Sequence, residues 1–389
     1  MEYIRNNENI TLLCEGALTN ANAGDIQQAI YSLIEDPEIK NVIFDFNKVS
    51  YISSSGLRII MSVTKRGFTV QIINACSDVY EVLDITGFTS LLPVSRKMRA
   101  LSIDDCKLIG TGFFSKVYRV DADSIVKVYI RNTQLDMINR ERELARNAFL
   151  LGIPAAITFD IVDIDGKYGL LFESINGGTL TQKILSDIEH LDQYIIQYAN
   201  LLKTINTTQS VSDNIPRVSN IINNKLEVIK PYLEDAEYQK LSSMLTSIED
   251  TNTFVHADCH TGNIMLQNDE LIIIDMDTLC TGNPIFELAA LYVTYIIFEE
   301  CSKGNNLAFL KLDVSITSKL FYDTLKHYFA GISEQSFYEN VKKIQVCGYF
   351  NMLYWNRMNK PENQHMFDTC LRRLIECLSE VDDLNLEGV

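Results

Sequence analysis

The sequence predicts a small α/β domain followed by a larger α+β domain that has a strand-rich lobe and a helical lobe. Strand and helix patterns alternate from Ile10 to Ile85, which suggests a sheet packed on helices. A group of short strand patterns opens the second part, and helical periodicity dominates from Thr181 onward. Charge divides at the same place: 9 Lys+Arg face 11 Asp+Glu in the first hundred residues, and 25 face 40 in the remainder, within a net charge of −17 over 389 residues. That length exceeds what one core usually fills.

In the first part, Ile10–Leu13 reads as a short apolar strand and 21–34 as a helix, with Ile26, Ala29, Ile30 and Leu33 in phase and Asn20 or Asn22 as its cap. Asn41–Phe46 reads as a buried strand. Leu57–Thr64 is helix-like, Phe68–Ile73 strand-like and Val79–Ile85 helix-like. A linker is expected at 94–104, after Pro93 and around the basic stretch Arg96-Lys97-Met98-Arg99. The domains expected are therefore 1–93 and 105–389, the latter with a small lobe at 105–176 and a helical lobe at 177–389. The small lobe holds strand patterns at Lys107–Ile109, Lys116–Val120 and Ser124–Ile130, a long helix at Leu135–Leu151, and strands near Ile157–Val162 and Tyr168–Glu173. Farther on come a hairpin (Ile264–Leu266, Leu271–Ile274) and two aromatic-rich helices, Ile285–Glu300 and Phe337–Arg357.

The composition is that of a folded chain, and its acidity argues against nucleic acid and against an anionic membrane surface as partners. No apolar run approaches the ~20 residues of a membrane span, and Met1–Asn9 lacks a secretory pattern. Nine cysteines, none in a C-x-x-C pair, fit reduced thiols in a cytoplasmic protein.

Chemistry concentrates in three places of the second part. Gly110 and Gly112 lie in a turn between two strands, where a bare backbone can approach phosphate oxygens. Lys127 sits in the apolar strand SIVKVY and requires a partner, either Glu143 or Glu141 on the next helix. The segment FVHADCHTGNIMLQNDELIIIDMD brings Asp258, Asn263 and Asp275 into loops, and such hard oxygen groups suit a divalent cation. In the first part, Ser53-Ser54-Ser55 follow a buried strand and precede a helix. This is a capping signature, and also a place where a phosphoserine would meet free N–H groups.

Residues 105–300 resemble the aminoglycoside phosphotransferase/choline kinase group, through His256-Ala257-Asp258-Cys259-His260-Thr261-Gly262-Asn263 and Ile274-Asp275-Met276-Asp277. The resemblance implies a bilobal protein-kinase-like fold that uses ATP and magnesium. It implies that Asp258 orients or deprotonates the acceptor hydroxyl and that Asn263 and Asp275 hold magnesium. Lys127 would bind the α/β-phosphates and pair with Glu143, Gly110 and Gly112 would cover the phosphates, and Phe172–Ile175, with Glu173 and Ile175, would form the adenine hinge. Ser115 replaces a third glycine, Ala257 the usual glycine, and Glu287 the more frequent Asp. Asp277, His260 and Cys259 are expected to be structural. Tyr292, Tyr295, Tyr349, Tyr354 and Trp355 are expected to line or support the acceptor site, or else to be core aromatics.

Residues 1–93 resemble the STAS domain of bacterial anti-sigma factor antagonists, through Asp45, Tyr51-Ile52 and Ser53–Leu57, with Ser53 in place of the usual Asp. This implies an α/β STAS fold, Ser54 as phosphoacceptor, and an anti-sigma factor or serine kinase as partner. The expected activity is transfer of the γ-phosphate of ATP to a hydroxyl of a small acceptor, a cationic one given the acidic second part. The alternatives are a signalling protein whose kinase-like part phosphorylates Ser54 or a partner, and a non-catalytic nucleotide sensor.

Overall fold

The computed structural model describes residues 1–112, 115–130, 133–211 and 215–389. Phe113 and Phe114, part of the glycine turn read from the sequence, lie outside the described residues. The chain divides into two compact units: Met1–Ser102 with Val162–Gly166, and the rest.

The first unit is a five-stranded sheet flanked by helices. Its elements are β1 (Glu2–Asn6), β2 (Asn9–Leu18), α1 (Ala23–Leu33), β3 (Asn41–Ile52), α2 (Ser54–Lys65), β4 (Thr69–Ala75), α3 (Ser77–Ile85), α4 (Phe88–Leu91) and β5 (Val94–Arg96). The sheet order is β1-β2-β3-β4-β5, with an antiparallel β1/β2 hairpin and parallel pairing beyond it. Strict alternation along Val42, Phe44 and Phe46 buries one face of β3 in a core with Leu12, Ile30, Ile60 and Val63. β5 draws Val94–Arg96, expected in the linker, into the sheet. A two-residue strand β6 (Arg99–Ala100) runs parallel to Val162–Asp163.

Gly56 explains how α2 seats: a Cβ there would stand 2.8 Å from Ile52 Cγ1 and 2.9 Å from Leu18 Cβ, so only glycine lets the helix approach the strands. The cap of α2 is Ser53, whose side chain accepts from the Ser55 N–H at 3.3 Å. Asn22 stands at the N-cap of α1 but turns its side chain back, accepting from the Thr19 N–H and donating to the Ala17 carbonyl.

The second unit begins with antiparallel strands β7 (Lys107–Thr111), β8 (Ser115–Arg119) and β9 (Ser124–Tyr129), followed by α5 (Leu135–Leu150), the first four residues of β10 (Thr158–Ile164) and β11 (Lys167–Glu173). β9 lies between β8 and β11, which makes Lys127 a central-strand residue. The helical lobe follows with α6 (Leu180–Ser186), α7 (Leu191–Thr207), α8 (Val218–Ile229) and α9 (Asp235–Thr246). Small strands β12 (Phe254–Val255), β13 (Ile264–Gln267), β14 (Glu270–Ile273) and β15 (Cys280–Thr281) frame the loops that carry Asp258 and Asp275. Beyond them lie α10 (Ile285–Tyr292), α11 (Phe298–Cys301), α12 (Asn305–Leu310), α13 (Val314–Tyr328), α14 (Glu334–Asn359) and α15 (Gln364–Ser379). The helix expected at 285–300 is interrupted by a π-turn, Val293–Ile297, between α10 and α11. Tyr198, Tyr292, Tyr295, Tyr349 and Phe350 fill the core of this lobe. Among the described residues no helix is long and apolar enough to cross a membrane, and all nine cysteines are free thiols.

Candidate active site

Three pieces of the second unit converge: the β9/α5 pair, the loop between β12 and β13, and the turn after β14. Lys127 is the junction. Its Nζ lies 2.8 Å from Glu141 Oε1 and 2.7 Å from Asp275 Oδ1, with only 12 % of the side chain exposed. The Tyr129 hydroxyl donates to the other Glu141 oxygen at 2.6 Å. Two carboxylates next to the ammonium outweigh the burial that opposes its charge, so Lys127 holds its proton more tightly than an ordinary lysine.

The partner of Lys127 is therefore Glu141, not Glu143. Glu143 is half-exposed and meets Arg142 at 3.3 Å. The helix decides this. Ile138, Glu141, Leu144, Ala145 and Ala148 share the buried face of α5, whereas Glu143 is two residues past Glu141, about 200° around the axis.

In the loop after β12, Ala257 adopts φ +63°, the left-handed conformation that glycine takes without strain. This is the position where the motif usually has glycine. The turn is held from below by Glu287, fully buried on α10. One of its oxygens accepts from the His256 N–H at 2.5 Å and from the Ala257 N–H at 3.3 Å. The longer side chain thus reaches the backbone donors expected of an aspartate. Burial pushes the Glu287 carboxyl up to about 7 despite these bonds.

Asn263 Nδ2 donates to the Asp258 carbonyl and to Asp258 Oδ2, both at 3.0 Å, tying the two ends of the loop together. Burial raises the Asp258 carboxyl to about 7, and Asp275 and Asp277 add to the effect. The side chain keeps 45 % of its surface open to the cleft, so solvent softens the elevation, but its direction follows from three carboxylates sharing one cleft. Asp277 is also pushed up to about 7, by burial and by Asp275. His260 is a supporting residue: its Nδ1 accepts from the Gly262 N–H at 3.1 Å, its ring meets Phe309 edge-on, and burial lowers it to about 4, so it is neutral. Asp275 itself has φ +65° at the turn out of β14.

With Asn263 Nδ2 and Asp275 Oδ1 engaged, Asn263 Oδ1 and Asp275 Oδ2 have no hydrogen-bond partner among the described residues. They are hard oxygens suited to magnesium, in a cleft whose Asp258 and Asp277 carboxyls are elevated by burial and by neighbouring carboxylates. Among the described residues no three His, Cys, Asp or Glu side chains form a metal cage. That is ordinary for magnesium, which takes one or two protein ligands and completes its shell with water and phosphate.

Gly110 pairs with Val117 across β7/β8, and the Gly112 N–H donates to the Ser115 carbonyl at 2.9 Å. A Cβ at either glycine would make only ordinary 3.5 Å contacts, so the fold itself does not demand glycine there. On β11, the Glu173 side chain accepts from the Ile157 N–H at 2.8 Å, while the Ser174 N–H donates to the Asp123 carbonyl. Ile175 is buried, and its N–H has no partner among the described residues. Tyr292, Tyr295 and Tyr349 are core residues, and Trp355 is 37 % exposed. In the first unit, Ser54 is the exposed first residue of α2.

The STAS domain model matches residues 2–100, and the phosphotransferase enzyme family model matches residues 105–303. Protein LicA of Haemophilus influenzae is 23 % identical over 260 residues, which span 64 % of this chain and 91 % of that protein. BtrV of Bordetella bronchiseptica, named as a candidate anti-sigma factor antagonist, is 31 % identical over 90 residues, 22 % of this chain and 77 % of that one. The ADP-bound aminoglycoside phosphotransferase APH(2'')-Ib is similar at TM-score 0.48 and 16 % identity, covering 78 % of this chain and 99 % of that one.

Proposed function

Since the chain belongs to the phosphotransferase enzyme family and begins with a STAS domain, we propose that it transfers the γ-phosphate of ATP to a hydroxyl of a small acceptor under the influence of its STAS domain. The observation that carries the reading is the junction at Lys127, whose ammonium bridges Glu141 and Asp275 within hydrogen-bond distance. Phosphoryl transfer asks a protein mainly for positioning and charge stabilisation. Lys127, fixed from both sides, is the cation that meets the α/β-phosphates. Gly110 and Gly112 leave space for phosphate oxygens, and the unpaired Ile175 N–H with the adjoining Glu173 backbone receives adenine. Asp258, held by Asn263, accepts the proton of the acceptor hydroxyl, and an elevated carboxyl is a better base near neutral pH. Asn263 and Asp275 would hold magnesium, which when bound would neutralise phosphate charge.

The acceptor proposed is a cationic hydroxyl compound, because the helical lobe is acidic and three carboxylates line the cleft. Incubation with Mg-ATP and a panel of hydroxyl-bearing amines tests this. Acceptor-dependent ADP release that is lost in Asp258→Ala is expected; absence of ADP release above blank with every amine refutes it.

A second reading rests on Ser54. Exposed on the first turn of α2, it offers a hydroxyl where a phosphate would meet the positive end of the helix. Phosphorylation there would switch binding of an anti-sigma factor or similar partner. Mass spectrometry after ATP addition decides whether this chain modifies its own serine: an unmodified Ser54 in a turnover-competent preparation rules out self-modification.

A further inference from the structure

The catalytic loop is fastened from beneath by two phenol groups that no motif reveals. Tyr295 lies in the π-turn between α10 and α11, and Tyr198 on α7. Both are fully buried. The Thr261 N–H donates to the Tyr295 hydroxyl at 3.0 Å. That hydroxyl donates to the Tyr198 hydroxyl at 3.3 Å, which in turn donates to the Cys259 carbonyl at 2.5 Å. The Thr261 hydroxyl meets Thr181 Oγ1 at 2.7 Å, and the Thr181 N–H donates to the Thr261 carbonyl. Cys259 and Thr261 are themselves fully buried and stand between Asp258 and Asn263.

We infer that Tyr295 and Tyr198 are positioning residues for phosphoryl transfer, a one-directional hydroxyl relay that fixes residues 259–261 and thereby the spacing of Asp258 and Asn263. The π-turn supplies the reason for its own presence. A wide turn costs helix regularity and recurs at functional sites. Relaxing it to α-helical pitch would rotate Tyr295 away from the Thr261 N–H by a fraction of a turn. The relay has one proton arrangement: each hydroxyl donates once and accepts once, and removal of either leaves a buried backbone group unpaired. Neither tyrosine touches the cleft groups, so the pair acts on geometry, and transfer rates are sensitive to misplacement of about 1 Å.

This inference rests on the phosphotransferase reading, and the test separates the two. Tyr295→Phe, Tyr198→Phe and the exposed control Tyr338→Phe are compared in the full chain, using Mg-ATP hydrolysis with water as acceptor, ADP binding by calorimetry, and amide exchange at Thr261. The expected result for the two buried variants is a kcat lower by about tenfold to a hundredfold, with the ATP KM and ADP Kd within about twofold. Faster exchange at Thr261 in Tyr295→Phe, with no change across α14, accompanies it. Unchanged Thr261 exchange in Tyr295→Phe overturns the inference, as does an unchanged kcat or a loss of ADP binding in step with kcat. A wild-type protein that binds ADP but never turns over ATP refutes the phosphotransferase reading instead, and the exchange result still decides whether the relay holds the loop.

Discussion

Replacing Glu141 by alanine isolates the junction on which the functional reading depends. The Glu141 carboxylate is 4 % exposed and makes two short contacts, to Lys127 Nζ at 2.8 Å and to the Tyr129 hydroxyl at 2.6 Å. Removing it leaves a nearly buried ammonium with Asp275 alone and a buried phenol with no acceptor. Breaking a buried charge pair from one side costs about 3–5 kcal/mol, most of it the desolvation of the partner left behind. Because Asp275 still neutralises Lys127, the lower end applies, about 3 kcal/mol. The functional effect is separate: Lys127 swings toward Asp275, and the ATP KM rises more than tenfold. Urea unfolding and ATP titration are run on Glu141→Ala beside Glu143→Ala. The latter is a half-exposed surface change and should stay within about 0.5 kcal/mol and leave KM unaltered. Equal damage from the two substitutions would refute the helical-phase argument and the junction with it.

Asp258→Ala should lower turnover by about 10²–10⁴, the usual contribution of a base, with ADP affinity retained by calorimetry. The acid limb of kcat/KM should lie near pH 7, because Asp258 must be ionised to accept a proton. Asp277→Asn, which removes one of the charges elevating it, should move that limb to lower pH. Asp258, Asp277 and Glu287 all bind protons more tightly folded than unfolded, so their contribution to stability is complete below about pH 4 and is lost as pH rises toward 7. Thermal melts of metal-free protein from pH 5 to 8 should show the decline, and Asp277→Asn should flatten it. Gly112→Ala should leave Tm unchanged, since its Cβ makes only ordinary contacts, with Ser115 Oγ at 3.5 Å and the Ser115 carbonyl oxygen at 3.7 Å, while raising the ATP KM severalfold in a turnover assay. A lower Tm would mean that the glycine serves the fold.

The elements β2 to β4 and α1 to α3 of the first unit, and β7 to β11, α5, β13, β14 and α14 of the second, were legible because their apolar periods are clean, as in β3 and α5, whereas most helices of the helical lobe were legible only as a helical region. β1 was not, since every one of its residues is exposed and it has no buried face to mark it. The π-turn escaped because 285–297 is apolar nearly all round, so the sequence carries no phase from which a wide turn could be read. Within the site, loop chemistry was readable from residue type and spacing, but choices between near neighbours were not equally so. The phase of α5 favours Glu141 once Ile138, Leu144 and Ala148 are aligned, a signal present in the sequence and outweighed by family spacing. Glu287 could be located by position, yet whether its extra methylene still met the loop depended on the approach of α10. Tyr198 and Tyr295 look like any core aromatic, because only three-dimensional placement shows what a phenol hydroxyl meets.

The charge asymmetry acquires a physical meaning at this site. Glu141 and Asp275 both hold Lys127, while burial first, and for Asp258 and Asp277 the neighbouring carboxylates as well, push the carboxyls of Asp258, Asp277 and Glu287 up toward neutrality. Such a cleft repels a bare nucleotide, whose phosphates add negative charge to a deficit that Lys127 already fails to cover. The same deficit favours any ligand that arrives with positive charge. On the proposed function, nucleotide and divalent cation would enter as partners, each lowering the electrostatic cost of the other, and a cationic acceptor would gain from the same surplus. The net negative charge that argues against nucleic acid as a partner would thus, at the scale of the cleft, also bear on what the proposed site binds.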